Sequence, residues 1–384
     1  MTTATPRLPS HVPLIDGARA VAAFLVLLTH AGSVTGATER LPFGFVLARG
    51  DWGVALFFIL SGFLLTRPWV RWRLQGGRTP SVGDYFRKRA ARILPAYWIA
   101  LFAVFLLLPN PVTTQSVVSN VLIAQVYTGD LLNGFFQTWS LSTEVAFYIL
   151  LPLLAPLLIR GSARRSLVAV GLTAVIAPAW IVLCKGTLFG LQFPYAVLWL
   201  PGHLDWFCAG MALAILERRI RTGDLPAPLV GTGRWLAAFA VVWLLVLSPL
   251  GGPYVMAGMS PGAAVLKEFL YGASAFLLLG AMLQPKADRT LLGRTLDSRV
   301  MVWAGAVSYA FFLWHNLVMD YVRAALFATL GSAGLLLTVV GTTAITLVVS
   351  AVSYHLVEHP VMRRFGRTSG GSVSPTHPVS GPRV

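Results

Sequence analysis

The stretch Leu14-Ile-Asp16-Gly-Ala-Arg19-Ala-Val-Ala-Ala-Phe-Leu-Val-Leu-Leu-Thr-His30 decides how the rest of the chain is read. Most of it is apolar, as a helix crossing a bilayer must be, since the hydrocarbon core asks for about 20 such residues. Three ionisable groups are embedded in it. A signal peptide is also apolar and N-terminal, but this run lacks a small-residue cleavage site, and a cleaved leader has no use for spaced charges. It is read as a retained first helix.

Working outward, the composition agrees. Of 384 residues, 56% are apolar and 11% charged, against about 25% charged in soluble domains. The mean hydropathy is +0.72. So few charges cannot cover a soluble surface. The net charge of +16 does not indicate nucleic acid, because the basic residues stand in short clusters between apolar runs, not along one face. Ten runs qualify as spans, centred on residues 14–33, 52–70, 93–109, 139–159, 167–184, 203–217, 235–250, 265–284, 300–326 and 334–357. The sixth is the weakest, being short and opening on His203, Asp205 and Trp206. The apolar stretch Val117–Tyr127 is shorter still and is read as interfacial or re-entrant.

The expected fold is therefore all-α, a polytopic membrane protein of about ten transmembrane helices. A cytoplasmic N-terminus puts 24 of the 30 Lys and Arg inside and four outside, the asymmetry that the positive-inside rule describes. An even number of spans returns the C-terminus to the cytoplasm, and the expected location is the plasma membrane. Residues 1–367 form one membrane domain on this reading. Residues 368–384, rich in Ser, Gly, Pro and Thr, are expected to be a disordered cytoplasmic tail. No internal repeat is visible. Cys184 and Cys208 lie in apolar runs and are read as small buried side chains, too few for a disulfide framework.

Ionisable groups inside a bilayer are costly and are therefore functional candidates. Arg19 and His30 are eleven residues apart, close to three turns, which sets them on one helix face about 16 Å apart along the axis. Either Arg19 reaches for headgroups and His30 bonds a neighbouring helix, or the two form a site. The fourth span opens Gln137-Thr-Trp139-Ser140-Leu-Ser142-Thr-Glu144, with Tyr148 one turn on. Ser140 or Ser142 would cap it and Trp139 would anchor it at the interface. Glu144 facing lipid would have no partner. Counting from the outer surface puts Glu144 level with His30, and a histidine paired with a carboxylate suits general-base chemistry on a hydroxyl. Asp205 is a second outer carboxylate, while Asp16, four turns from His30, would support Arg19. Ser61-Gly62 lies mid-span, where small residues allow close packing, and His315 lies midway along the ninth span. The run Arg87-Lys-Arg89-Ala-Ala-Arg92 either orients the chain or offers its cations to phosphates. No metal is expected.

Six elements, Leu14–His30, Phe57–Phe63, Arg87–Trp98, Trp139–Tyr148, Ser308–His315 and Glu358-His-Pro360, follow the order of the acyltransferase-3 family of membrane O-acyltransferases, which the chain resembles over residues 12 to 365. The resemblance implies transfer of an acyl group, usually acetyl, from acyl-CoA on the cytoplasmic side to a hydroxyl of a carbohydrate or natural product, with no permanently bound cofactor. It also implies that the arginine–ten residues–histidine motif, Arg19 and His30 here, is essential. Many members continue into an esterase-like domain. None is visible in this sequence, so a standalone enzyme is expected, like actinobacterial enzymes that acylate macrolides. On this reading His30 and Glu144 carry the chemistry, with Arg19, Arg87, Arg89 and Arg92 holding the donor's diphosphate. Asp16, Ser61, Trp139, Ser142, Tyr148 and His315 bind substrate or support the site. The alternative is a transporter or flippase of a lipid-linked or small polar substrate, although no paired, broken helices accompany it. A sensory or scaffold protein would have little use for the buried Arg and His.

Overall fold

The computed structural model describes residues 13–366 except 111, 188–191, 194, 223, 227–228, 253–257 and 331–333. The expected tail, 368–384, lies outside the described residues. Every expected span is helical: α1 (Pro13–Val34), α2 (Trp52–Gln75), α3 (Val82–Leu107), α4 (Trp139–Leu158), α5 (Ala163–Ala174) and α6 (Ile176–Gly186) within one span, α7 (Leu204–Thr222), α8 (Thr232–Leu247), α9 (Pro261–Leu283), α10 (Arg299–Leu330) and α11 (Leu335–Ser353). No strand occurs among the described residues. Eight of the spans are long and apolar enough to cross a membrane. The exceptions are α8, at 16 residues, and α7, which has Asp205 at one end and Glu217 and three arginines at the other. Val117–Tyr127 falls in two short helices, Thr114–Val121 and Gln125–Thr128, neither of which can span. Tyr97 of α3 ties the first of them down by donating to the Asn120 carbonyl at 2.8 Å.

Local chemistry explains the helix ends. The Ser81 side chain accepts from Asp84 N at the start of α3, and Gly76 closes α2 with φ of 68°, where only glycine is unstrained. The break between α5 and α6 follows from Pro178, which has no N–H to offer the Ala174 carbonyl four residues back.

Packing then sets the relative depths. α2 and α7 run parallel, with Phe58 stacked on Phe207 at 4.6 Å and, further along, Arg67 gripping Glu217 through two bonds of 2.8 and 3.0 Å. Between these points the helices touch backbone to backbone. A Cβ on Gly62 would strike the Phe207 carbonyl, and one on Gly210 would strike that of Ile59. α1 lies antiparallel to α2, with Gly53 against Ala22, and parallel to α10, with Gly305 against Asp16. Cys184 and Cys208 are free and buried.

Candidate active site

α1, α2, α3, α4 and α10 enclose a cleft with about 740 Å3 of atom-free space, its open mouth included. Its polar lining is Arg19, Ser61, Arg89, Arg92, Glu144 and Tyr148, with Ser140, Ser308 and Tyr309. Glu144 accepts from the Ser61 hydroxyl and from the Tyr148 hydroxyl at 2.5 Å. The Tyr148 carbonyl in turn accepts from Tyr85 at 3.0 Å. The Arg19 guanidinium lies 6.0 Å from the Phe57 ring centre, and its buried Nε has no hydrogen-bond partner among the described residues. Its charged neighbours are Arg92, Glu144 and Asp16. The lining itself holds three arginines and one carboxylate, which suits an anion, while Asp16 and the buried Glu358 add negative charge near Arg19.

Three turns further along α1, His30 meets His315 of α10, Nδ1 to Nε2, at 2.8 Å. His315 Nδ1 is 2.8 Å from the Phe312 carbonyl. His315 is fully buried and His30 half-buried. Gln137, at the head of α4, donates to the Leu313 carbonyl at 3.0 Å and accepts from Asn316 at 2.7 Å, while Asn316 flanks His30. Phe312 separates the two halves of the site: it lines the cleft beside Phe57, and its ring centre is 6.0 Å from that of His315.

Sequence reasoning placed Arg19, Arg89, Arg92, Ser61, Glu144 and Tyr148 in the site, and all of them line the cleft. One pairing must be corrected: Glu144 does not orient His30. Counting down from a supposed outer surface misjudged the depth of α4, because Gln137 already touches α10 beside His315. Glu144, seven residues on, is therefore about 10 Å deeper, level with Ser61 and Arg19. His30 takes the other histidine instead. Arg87 is also corrected. It points away from the cleft and pairs with Asp84 at 2.7 Å, because two residues separate opposite sides of a helix while Arg89 and Arg92 share one face. Ser142 back-bonds to the Thr138 carbonyl at 3.5 Å, and Trp139 packs on Phe58 and His203; neither lines the cleft. Asp16 lies one turn from Arg19, as expected. Asp205 belongs to a separate cluster in which His203 meets Glu268 at 2.7 Å. Glu268, the one carboxylate in the apolar run of α9, carried the signal for that cluster; Gln137 and Asn316 carried none.

An acyltransferase-domain family model matches residues 12–355. The chain belongs to the acyltransferase-3 family. It is an enzyme, an acyltransferase. Acyltransferase MdmB of Streptomyces mycarofaciens is 28% identical over 86% of this chain and 85% of its own. Exopolysaccharide production protein ExoZ of Rhizobium meliloti is 25% identical over 82% of this acyltransferase and 90% of its own length. The putative peptidoglycan O-acetyltransferase YrhL of Bacillus subtilis is 24% identical over 91% of the chain, which spans only 55% of that protein. No solved structure matches.

Proposed function

We propose that this acyltransferase moves an acyl group, acetyl in the simplest case, from acyl-CoA to a hydroxyl of a carbohydrate or macrolide-type acceptor. The observation that carries the reading is the division of α1 between Arg19 in a cationic cleft and the half-buried His30 three turns away. The cleft suits a diphosphate, and arginine pairs with phosphate through two parallel bonds. A pantetheine arm is of similar length to the ~16 Å between the two residues; the Phe57 and Phe312 rings, in edge contact with centres 6.3 Å apart, would have to part to let it through. Glu144, held by Ser61 and Tyr148, would then partner Arg19 rather than His30.

In the reaction, His30 takes the proton of the acceptor hydroxyl and the oxygen attacks the thioester carbonyl. The C–S bond breaks as the tetrahedral intermediate collapses, and the thiolate recovers the proton from His30. The basic residues support a cleft that opens to the cytoplasm, with both termini on that side, in the plasma membrane. The names of two relatives, an exopolysaccharide production protein and a putative peptidoglycan O-acetyltransferase, support a glycan acceptor.

The test is purified full-length protein in lipid nanodiscs, incubated with labelled acetyl-CoA and either a macrolide or a glycan acceptor. Labelled ester should form with one of them. His30→Ala should abolish it while insertion and acetyl-CoA binding persist. Appreciable transfer by His30→Ala would refute the base assignment.

A further inference from the structure

The neighbours of the two histidines dictate where their protons sit. A carbonyl can only accept, so the contact between His315 Nδ1 and the Phe312 carbonyl places the His315 proton on Nδ1. The other nitrogen of a neutral imidazole is then an acceptor, and this is the nitrogen 2.8 Å from His30 Nδ1. His30 must therefore donate from Nδ1, which leaves its lone pair on Nε2. The opposite assignment would set a ring lone pair against a carbonyl lone pair. Ring geometry agrees. The 5.1 Å between ring centres is what the nitrogen contact and the two ring radii add up to, and the planes are tilted by 5°. The rings lie edge to edge in one plane, so the N–H of one points along the lone pair of the other.

From this geometry we infer that His315 is a positioning residue. By accepting from His30 Nδ1, it holds His30 in the tautomer whose lone pair lies on Nε2, the one that takes the proton of the acceptor hydroxyl. The inference rests on His30 being the base. His315 would fill the role that a carboxylate fills in a Ser-His-Asp arrangement, and among the described residues neither ring hydrogen-bonds a carboxylate. The exchange makes sense in a membrane span, where a second buried charge is costly. When His30 gains its proton, the bond to His315 becomes charge-assisted. His315 stays neutral, so the proton remains on His30 for return to the thiolate. Full burial keeps His315 from substrate, which leaves His30 as the ring an acceptor can reach.

Two amide substitutions test this. In His315→Gln the side-chain oxygen can occupy the place of Nε2 and accept from His30 Nδ1. In His315→Asn the same chemical group falls short of it. Acetyl transfer is measured in nanodiscs across pH, with separate kcat and acetyl-CoA KM, and with His30→Ala alongside. His315→Asn should lose about 100-fold in kcat, the scale of misplaced general-base catalysis, with KM little changed. His315→Gln should recover to within about tenfold of the parent and keep its pH profile. Equal kcat in the Gln and Asn variants would overturn the inference, whether both are active or both inactive. A loss expressed in KM would also overturn it. An active His30→Ala would instead overturn the reading of His30 as base.

Discussion

Gly210→Ala tests whether the α2–α7 crossing sets the geometry of the cleft. The added methyl would fall 2.6 Å from the Phe63 nitrogen and 3.0 Å from the Gly62 carbonyl carbon, where ordinary contact begins at 3.4 Å. These are main-chain atoms, so no side chain can rotate out of the way, and the helices must part by roughly 1 Å, an overpacking that costs about 1–3 kcal/mol. α2 is pushed away from α7, and with it move Phe57 and Ser61, which meet Arg19 and Glu144. A displacement of ~1 Å at a reacting geometry costs up to about 100-fold in rate. The assay pairs thermal unfolding of the purified protein with acetyl-transfer kinetics. The expected outcome is a melting temperature lower by several degrees and kcat/KM reduced by one to two orders of magnitude. Gly62→Ala should act alike, and the double variant should fall short of additivity because both methyls open the same contact. Parental activity and melting temperature in Gly210→Ala would show that this crossing does not position the site.

Arg89→Ala or Arg92→Ala should each raise the acetyl-CoA KM by about tenfold or more, since a charge-assisted bond contributes ~1.5–3 kcal/mol. Arg87→Ala, already paired outside the cleft, should leave KM near parental; titrating initial rates against donor concentration distinguishes the three. Glu217→Gln strips the carboxylate from between buried Arg67 and half-buried Arg221, whose bonds to it are 2.8 to 3.0 Å. Breaking such a pair costs about 3–5 kcal/mol, so detergent-solubilised protein should melt well below the parent while its acetyl-CoA KM stays unchanged. Transfer by His30→Ala in nanodiscs should be undetectable, with the protein still inserted.

Much of this was open to a reader of the residues alone. Hydropathy located all eight helices that are long and apolar enough to cross a membrane, because crossing a bilayer constrains each segment separately. The spacing of Arg19 and His30 put them on one face at two depths, and helical period also contained the separation of Arg87 from Arg89 and Arg92, although proximity in sequence obscured it. Ser142 and Trp139 were ambiguous for a different reason: a hydroxyl in a helix can serve its own backbone or a ligand, and an indole can pack or recognise. Only the neighbours decide which.

The sequence by itself determined the helices, their faces and the presence of buried cations, since those properties depend on residues within a few turns of each other. Tertiary structure decided the depth at which α4 enters, and with it the partner of every group in the site. Glu144 belongs to Ser61 and Tyr148, and His30 to a histidine 285 residues away. Depth is set by where backbones can touch, at Gly62 and Gly210 or at Asp16 and Gly305. Contacts of that kind join segments whose separation along the chain carries no information about their distance in space.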